Sequence, residues 1–372
     1  MKVYNENSLV NLSNSILKHF NADTFHDSIP VVDELLMGHK KVVAVLFDGM
    51  GQNIVRKHLK ENSFIRRHYV ATINSTFPPT TAAATTAFLT GKYPIETGWL
   101  GWDLYFKDYD RNIILFRSID YNTKEVLVKD GEQHIADRYY PTRKLFELIK
   151  NGESTAKAYA IMRYPIQPDG PKSLLSSGVK KVNEVLKANE QCFVYFYWDS
   201  PDREMHEYGI DHWKVKKQVK NAERFMKKVV RANPDTLFIF LADHGHINFK
   251  LLDICEHKDL YYLLRKPLSM EKRVVVFFVK NDKRKEFENL FNKYYGDNFE
   301  LLTTKEALDI KLFGEGVAAT GISDALGDYI AIAKKEYGLY ASKEFTYFEN
   351  FKGNHAGGTE EERLIDISIF KN

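Results

Sequence analysis

Apolar residues gather in three short continuous runs, at 42–47 (VVAVLF), 193–198 (FVYFYW) and 237–241 (LFIFL), and each run ends in, or shortly before, an aspartate. A strand with one wet face alternates apolar and polar positions, whereas a continuous run is buried on both faces, as in a parallel sheet covered by helices. Residues 158–162 (AYAIM) predict a further strand of this kind. Between the runs the apolar spacing turns helical, at 81–89, 172–188 and 212–230. Strand alternating with helix predicts a doubly wound α/β fold, with a mostly parallel central sheet and helices on both faces. Sites in such sheets form beyond the carboxyl ends of the strands. Asp48, Asp199 or Asp202, and Asp243 are therefore expected along one edge.

The pattern changes between residues 251 and 316, where a strand at 274–279 (VVVFFV), a charged helix at 283–295 and the segment FELLTT follow one another. This stretch reads as a small inserted α/β subdomain of βαβ type. The strand-like DYIAIA at 328–333 then returns the chain to the main body. The expected division is a core of residues 1–250 and 317–372 with an insertion at 251–316. A chain of 372 residues allows this, since a domain takes roughly 100–200 residues.

Composition narrows the class. With 44% apolar and 28% charged residues the chain has the make-up of a globular protein. A net charge of +3, from 53 basic against 50 acidic residues, gives no field that would favour nucleic acid or an anionic membrane. The lysines at 214, 216, 217 and 220 read as a solvated helix face. The start of the chain has no signal-peptide core, and nowhere do about 18 apolar residues run together, so a cytoplasmic location without a membrane partner is expected. Cys192 and Cys255 are the two cysteines and form no CxxC, which leaves carboxylates and histidines to hold any metal.

Five segments carry candidate chemistry. The first run is followed by Asp48-Gly-Met-Gly51, whose ordinary reading is a strand-to-helix turn. Segment 75–91 (STFPPTTAAATTAFLTG) predicts a helix opened by Pro79 and Thr80 and stopped by Gly91. A hydroxyl in its first turn, from Thr80 or Thr81, either caps the helix or meets a phosphate at the positive end of the helix dipole. Asp202 and His206 stand four residues apart, so on a helical turn they share one face and can share a cation. Asp243 and His244 adjoin in ADHGH, where Gly245 permits a tight turn, and His355 sits among glycines in GNHAGG. Jointly these residues offer three carboxylates, three imidazoles and a hydroxyl. That donor set suits two Zn²⁺ ions, with Mn²⁺ the alternative, better than Mg²⁺ or Ca²⁺.

In this order the segments LFDGMG, STFPPTTAAATTAFLTGKYP, SPDREMHEYG, LADHGH and GNHAGG resemble the alkaline phosphatase superfamily, nearest its type I phosphodiesterase and nucleotide pyrophosphatase group. The resemblance implies that Asp48, Asp243 and His244 hold one metal together with Thr81, and that Asp202, His206 and His355 hold the other. It implies Thr81 as the nucleophile, by its spacing from the helix-ending Thr90-Gly91, rather than Thr80 or Thr76. The sequence departs from the nucleotide pyrophosphatase pattern at two positions. Trp102 stands where those enzymes carry a phosphoryl-binding asparagine, and Thr97 precedes Gly98 where they carry histidine. Trp102, with Trp99, Tyr105 and Phe106, is the candidate for stacking on a substrate base.

The expectation is a phosphoester hydrolase, diesterase by preference, working through a phospho-threonine intermediate on a small phosphorylated substrate such as a nucleotide. A phosphomonoesterase of the same superfamily and a non-catalytic metal-binding regulatory protein are the competing readings. The sequence does not set the oligomeric state.

Overall fold

The computed structural model describes residues 7–152, 155–162, 175–344 and 350–371. Its central sheet has six strands: β1 (Lys41–Phe47), β2 (Tyr69–Asn74), β3 (Lys157–Met162), β4 (Cys192–Trp198), β5 (Leu237–Leu241) and β6 (Leu364–Phe370). They lie in the order β2-β6-β5-β1-β4-β3, and all point one way except β6, which is antiparallel to both its neighbours. The apolar runs predicted as doubly covered strands form its centre, and every residue of β5 is buried.

Side-chain alternation shows what covers each face. Along β4, Phe193 and Tyr195 share one face and Phe196 takes the other. Phe20, which ends the helix Leu9–His19, and Phe88, from the helix Thr81–Thr90, pack against Phe193 and Tyr195 at ring separations of 6.2 and 5.7 Å. Phe225, from the helix Trp213–Ala232, stacks on Phe196 at 4.5 Å. Helices therefore cover both faces, as the periodicity predicts. The start of the helix expected from residue 172 lies outside the described residues, and its described part is Leu175–Ala188.

The Thr81–Thr90 helix is buried over residues 82–90, which fits an alanine-rich sequence with small side chains and no charged residue on any face. It ends at Gly91 in a left-handed conformation (φ 68°), and the Asn14 side chain donates to the Gly91 carbonyl at 2.9 Å. This anchoring fixes the helix lengthwise, and so fixes its first turn at the sheet edge.

A second sheet of seven strands, antiparallel throughout, joins residues 103–120, 269–303 and 329–333. The change in sequence character at 251–316 thus does not bound the second sheet, because Asp103–Phe106, Arg111–Ile114 and Tyr329–Ala333 also belong to it. Tyr329–Ala333, expected in the main body, lies between Val274–Phe277 and Phe299–Thr303. It separates the two strands of the predicted βαβ unit, whose helix is Arg284–Tyr295. Val274 and Val276 face one core with Ile330 and Ile332, while Val275 and Phe277 face another with Phe287, Phe291 and Tyr295 of that helix. No described helix is long and apolar enough to cross a membrane.

Candidate active site

Three neighbouring parallel strands deliver the carboxylates. In register, Phe47 of β1 lies beside Trp198 of β4, and Leu46 lies beside Leu241 of β5. Asp48 therefore follows β1 directly, Asp243 follows β5 after one residue, and Asp202 opens the helix Asp202–Tyr208 just beyond β4. Asp199, the alternative to Asp202, is not in the cluster of potential metal ligands. Gly49, at φ 69°, makes the turn after Asp48, and its amide donates to Asp243 Oδ1 at 3.0 Å. A Cβ there would lie 3.2 Å from the Asp202 backbone, so the turn needs glycine for conformation and for space.

The imidazoles are held in a common way. Nδ1 of His244, His206, His355 and His246 lies 2.9, 3.0, 3.2 and 3.3 Å from the carbonyls of Gly245, Gly353, Pro79 and Ile247 respectively. A carbonyl accepts only, so each Nδ1 carries the proton and donates, leaving Nε2 with its lone pair free in the neutral ring. Those four Nε2 atoms turn toward the carboxylates. His206 lies 3.3 Å from Asp202 Oδ2, with His246 and His355 3.4 and 3.7 Å from Asp202 Oδ1. His244 lies 3.4 Å from Asp48 Oδ1 and 3.6 Å from Asp243 Oδ2.

Thr81, at the first position of its helix, has Oγ1 3.1 Å from His244 Nε2 and 3.4 Å from Asp48 Oδ1. Thr80 is the N-cap residue, yet its hydroxyl donates to Glu271 at 2.6 Å and makes no cap. The helix thus starts without a side-chain cap, and its first-turn amides are left for an anion. The Thr76 hydroxyl reaches only the Pro78 carbonyl, at 3.5 Å. Of the predicted aromatic group, Trp99, Tyr105 and Phe106 are buried in the core beside the second sheet and cannot stack on a ligand. Trp102 is half-buried, with its amide donating to Glu271 at 2.9 Å.

The cluster suits divalent cations on several counts. Ligand atoms of Asp48, Asp243 and His244, of Asp202, His206 and His246, and of Asp202, His244 and His355 form three groups, each within 4.8 Å. Asp202 Oδ1, Asp243 Oδ2 and His246 Nε2 are buried and make no hydrogen bond, which is costly without a further partner. Burial, with Asp243 and Asp202 nearby, pushes the Asp48 carboxyl well above its ordinary range. Burial likewise pushes Asp243 up to about 7, against the Gly49 amide. Burial also lowers His246 to about 4 and, together with His244, holds His355 well below its usual value. Asp202 is the exception. Burial would raise it, but His206 and His246 hold it well down, and Asp202 in turn raises His206 against burial. Asp48 and Asp243, which resist ionising together, and His246 and His355, which resist protonation, belong to a donor set that a bound cation would relieve.

The structure brings Asp48, Thr81, Asp202, His206, Asp243, His244 and His355 together at this edge and adds three residues that the sequence reading left aside. His246 is fully buried beside Asp202, and its signal was the second histidine of ADHGH. Tyr197 donates its hydroxyl to Asp48 Oδ2, and it lies one residue before the end of β4. Glu271 comes from the second sheet, where no sequence signal tied it to the first.

Solved structures share this fold. The murine ectonucleotide pyrophosphatase/phosphodiesterase 5 superposes with a TM-score of 0.65 at 16% identity, over 88% of this chain and 87% of that one. The human protein of the same name gives 0.65 at 15% identity, over 89% and 88%. An inactive variant of the murine protein in complex with AMP gives 0.63 at 15%, over 88% and 87%. No curated protein sequence matches the chain. The family model for type I phosphodiesterase/nucleotide pyrophosphatase matches residues 42–355, a span that runs from β1 to His355 and takes in every residue of the cluster. The chain accordingly belongs to the type I phosphodiesterase/nucleotide pyrophosphatase family of the alkaline phosphatase superfamily, and is a hydrolase of phosphoester bonds.

Proposed function

We propose that the chain hydrolyses phosphodiester or pyrophosphate bonds of nucleotide-type substrates through attack by Thr81. The observation that carries this reading is the convergence of four Nε2 lone pairs and three carboxylates around Thr81, each imidazole oriented by a backbone carbonyl. Such orientation of the far ring nitrogen is what fixes a histidine for metal binding.

Asp48, Asp243 and His244, with Thr81, would hold one divalent ion. Asp202, His206 and His355 would hold the other, with Zn²⁺ favoured by the imidazole-rich set and Mn²⁺ as the alternative. Ions bound there would supply Lewis acidity, lowering the pKa of the Thr81 hydroxyl and stabilising charge on the leaving oxygen. Thr81 Oγ1 forms the bond to phosphorus as the bond to the leaving ester oxygen breaks, which frees an alcohol or phosphate and leaves the remainder on Thr81 as a phospho-threonine ester. Water then cleaves that ester, restoring the hydroxyl and releasing the phosphate-bearing product. The uncapped first turn of the helix directs its amides at the phosphoryl oxygens. The AMP held by the murine relative supports a nucleotide as the small-molecule substrate, and Trp102 is the one aromatic of its group exposed enough to meet a base.

The test is hydrolysis of bis-p-nitrophenyl phosphate and p-nitrophenyl phosphate by Zn²⁺- and Mn²⁺-loaded protein, beside Thr81→Ala. Loss of turnover in Thr81→Ala with unchanged circular dichroism, and an acid-stable phosphorylated peptide containing Thr81 in the wild type, are expected. Turnover retained by Thr81→Ala would rule out the nucleophile, and no hydrolysis by metal-replete wild type would rule out the enzyme reading.

A further inference from the structure

Glu271 follows the short strand Ser269–Met270 of the second sheet and reaches over to the layer that carries Thr81. Its Oε1 accepts from the Thr80 hydroxyl at 2.6 Å and from the Trp102 amide at 2.9 Å. Thr80 immediately precedes Thr81, and the Trp102 amide shares the acceptor atom of the Thr80 hydroxyl. Two donors beside the nucleophile are thereby turned away from a substrate phosphoryl group and onto a carboxylate of the protein. The side chain is only half-buried, and through its bond from Thr80 it stands one residue from the nucleophile at the edge of the ligand cluster.

Phosphodiesters and phosphomonoesters present different charges to such a group. A diester carries one negative charge and a monoester above neutrality carries two, so a fixed carboxylate near the phosphorus repels the monoester more strongly. The same carboxylate withholds the N–H and O–H donors that would compensate the second charge. We propose that Glu271 is a specificity-determining residue that selects singly charged phosphodiesters over dianionic phosphomonoesters. The proposal rests on the phosphodiesterase reading of the Thr81 centre. Burial pushes the Glu271 carboxyl up to about 7, against its bond from Thr80, so at pH 8.5 it is ionised.

Glu271→Gln removes the charge, and its amide oxygen can still accept from Thr80 and Trp102. Two measurements at pH 8.5 on Zn²⁺-loaded protein test the proposal. The first is kcat/KM for bis-p-nitrophenyl phosphate and p-nitrophenyl phosphate in wild type and Glu271→Gln. The second needs no turnover: calorimetric binding of diphenyl phosphate and phenyl phosphate to Thr81→Ala and to Thr81→Ala/Glu271→Gln. Each is expected to fall by at least about tenfold as a diester-to-monoester ratio, because the diester is relieved of one charge's repulsion and the monoester of two. An unchanged ratio, or an equal fall for both esters, overturns the proposal and leaves Glu271 a structural tie. Failure of either form to bind either probe overturns it as well. Wild type that hydrolyses neither ester would instead sink the phosphodiesterase reading, and the binding ratio would still decide the role of Glu271.

Discussion

Arg273 and Glu362 form a fully buried two-pronged ion pair, Nε to Oε1 at 2.6 Å and Nη2 to Oε2 at 2.8 Å, that ties the second sheet to the turn leading into β6. Glu362 does more than neutralise the arginine. Its Oε1 accepts from the Gly357 amide at 2.7 Å, two residues beyond His355, and its carbonyl accepts from the Gly245 amide at 2.7 Å, next to His244. One residue therefore braces both histidine loops.

Removing one partner leaves a buried charge alone, which costs about 3–5 kcal/mol. Arg273→Met should lower thermal stability accordingly and weaken zinc binding through the His355 loop. In the double variant Arg273→Met/Glu362→Met, stability should recover in part, since no lone charge remains, while zinc affinity stays low because Gly357 has lost its acceptor. Calorimetric melting and competition with a zinc chelator separate the two effects. Parallel recovery of both would show that the pair does not position the loop.

His246 should matter for the ion on the Asp202 side. Its Nε2 is buried 3.4 Å from Asp202 Oδ1 without a hydrogen bond, so it is placed to act as a further ligand to an ion held there. Loss of such a group typically costs 10–100-fold in metal affinity. If the centre holds two zinc ions as proposed, His246→Ala should weaken one equivalent by about that factor and spare the other, as read by stepwise chelator titration. Two unaltered equivalents would exclude the residue from the centre.

The central sheet and its edge were legible because their signals are local. Burial on both faces writes itself as unbroken apolar runs such as 237–241, and the aspartate that ends each run is visible beside it. The cluster of Asp48, Thr81, Asp202, His206, Asp243, His244 and His355 follows from those runs together with the segment resemblance. Features made by pairing between distant segments were not legible. Tyr329–Ala333 is apolar and buried like a core strand, and nothing in its own residues tells which sheet will take it. Glu271 and Arg273 look like surface charges in the turn between two strands, and only the packing of the second sheet on the first turns one toward Thr80 and the other toward Glu362. The aromatic group failed for the complementary reason, since Trp99, Tyr105 and Phe106 have the composition of a stacking surface but spend it on a core.

Gly245 gives a sharper steric test. A Cβ there would lie 1.9 Å from the Glu361 carbonyl oxygen, a backbone atom that cannot step aside. Gly245→Ala should therefore destabilise by more than about 4 kcal/mol or prevent folding, the range reached by severe overpacking and strain. The measurement is soluble yield and melting temperature beside Gly131→Ala, where nothing lies within 4 Å of the added atom and only the cost of the positive φ of 84° applies. Equal behaviour of the two variants would mean that the two loops are not packed as described.

Glu271 also predicts how the metal-free protein responds to pH. Its carboxyl ionises at about 7 in the fold, pushed up by burial against the Thr80 hydroxyl bond, from an ordinary value of 4.5. Between those values the folded state holds a proton that the unfolded chain has already lost, so folding stability falls as pH rises through that window and the cost is complete above about 7. A shift of this size corresponds to roughly 3 kcal/mol. Glu271→Gln is neutral at every pH and escapes the penalty. Its melting temperature relative to wild type should therefore rise between pH 5 and pH 8, by at least about 2 °C for a chain of this length, when both proteins are stripped of metal. A variant-minus-wild-type difference that stays flat, or that falls as pH rises, would mean that the carboxyl is already ionised at low pH and well solvated, and that it lacks the half-buried seat between Thr80 and Trp102 from which it could repel a substrate charge.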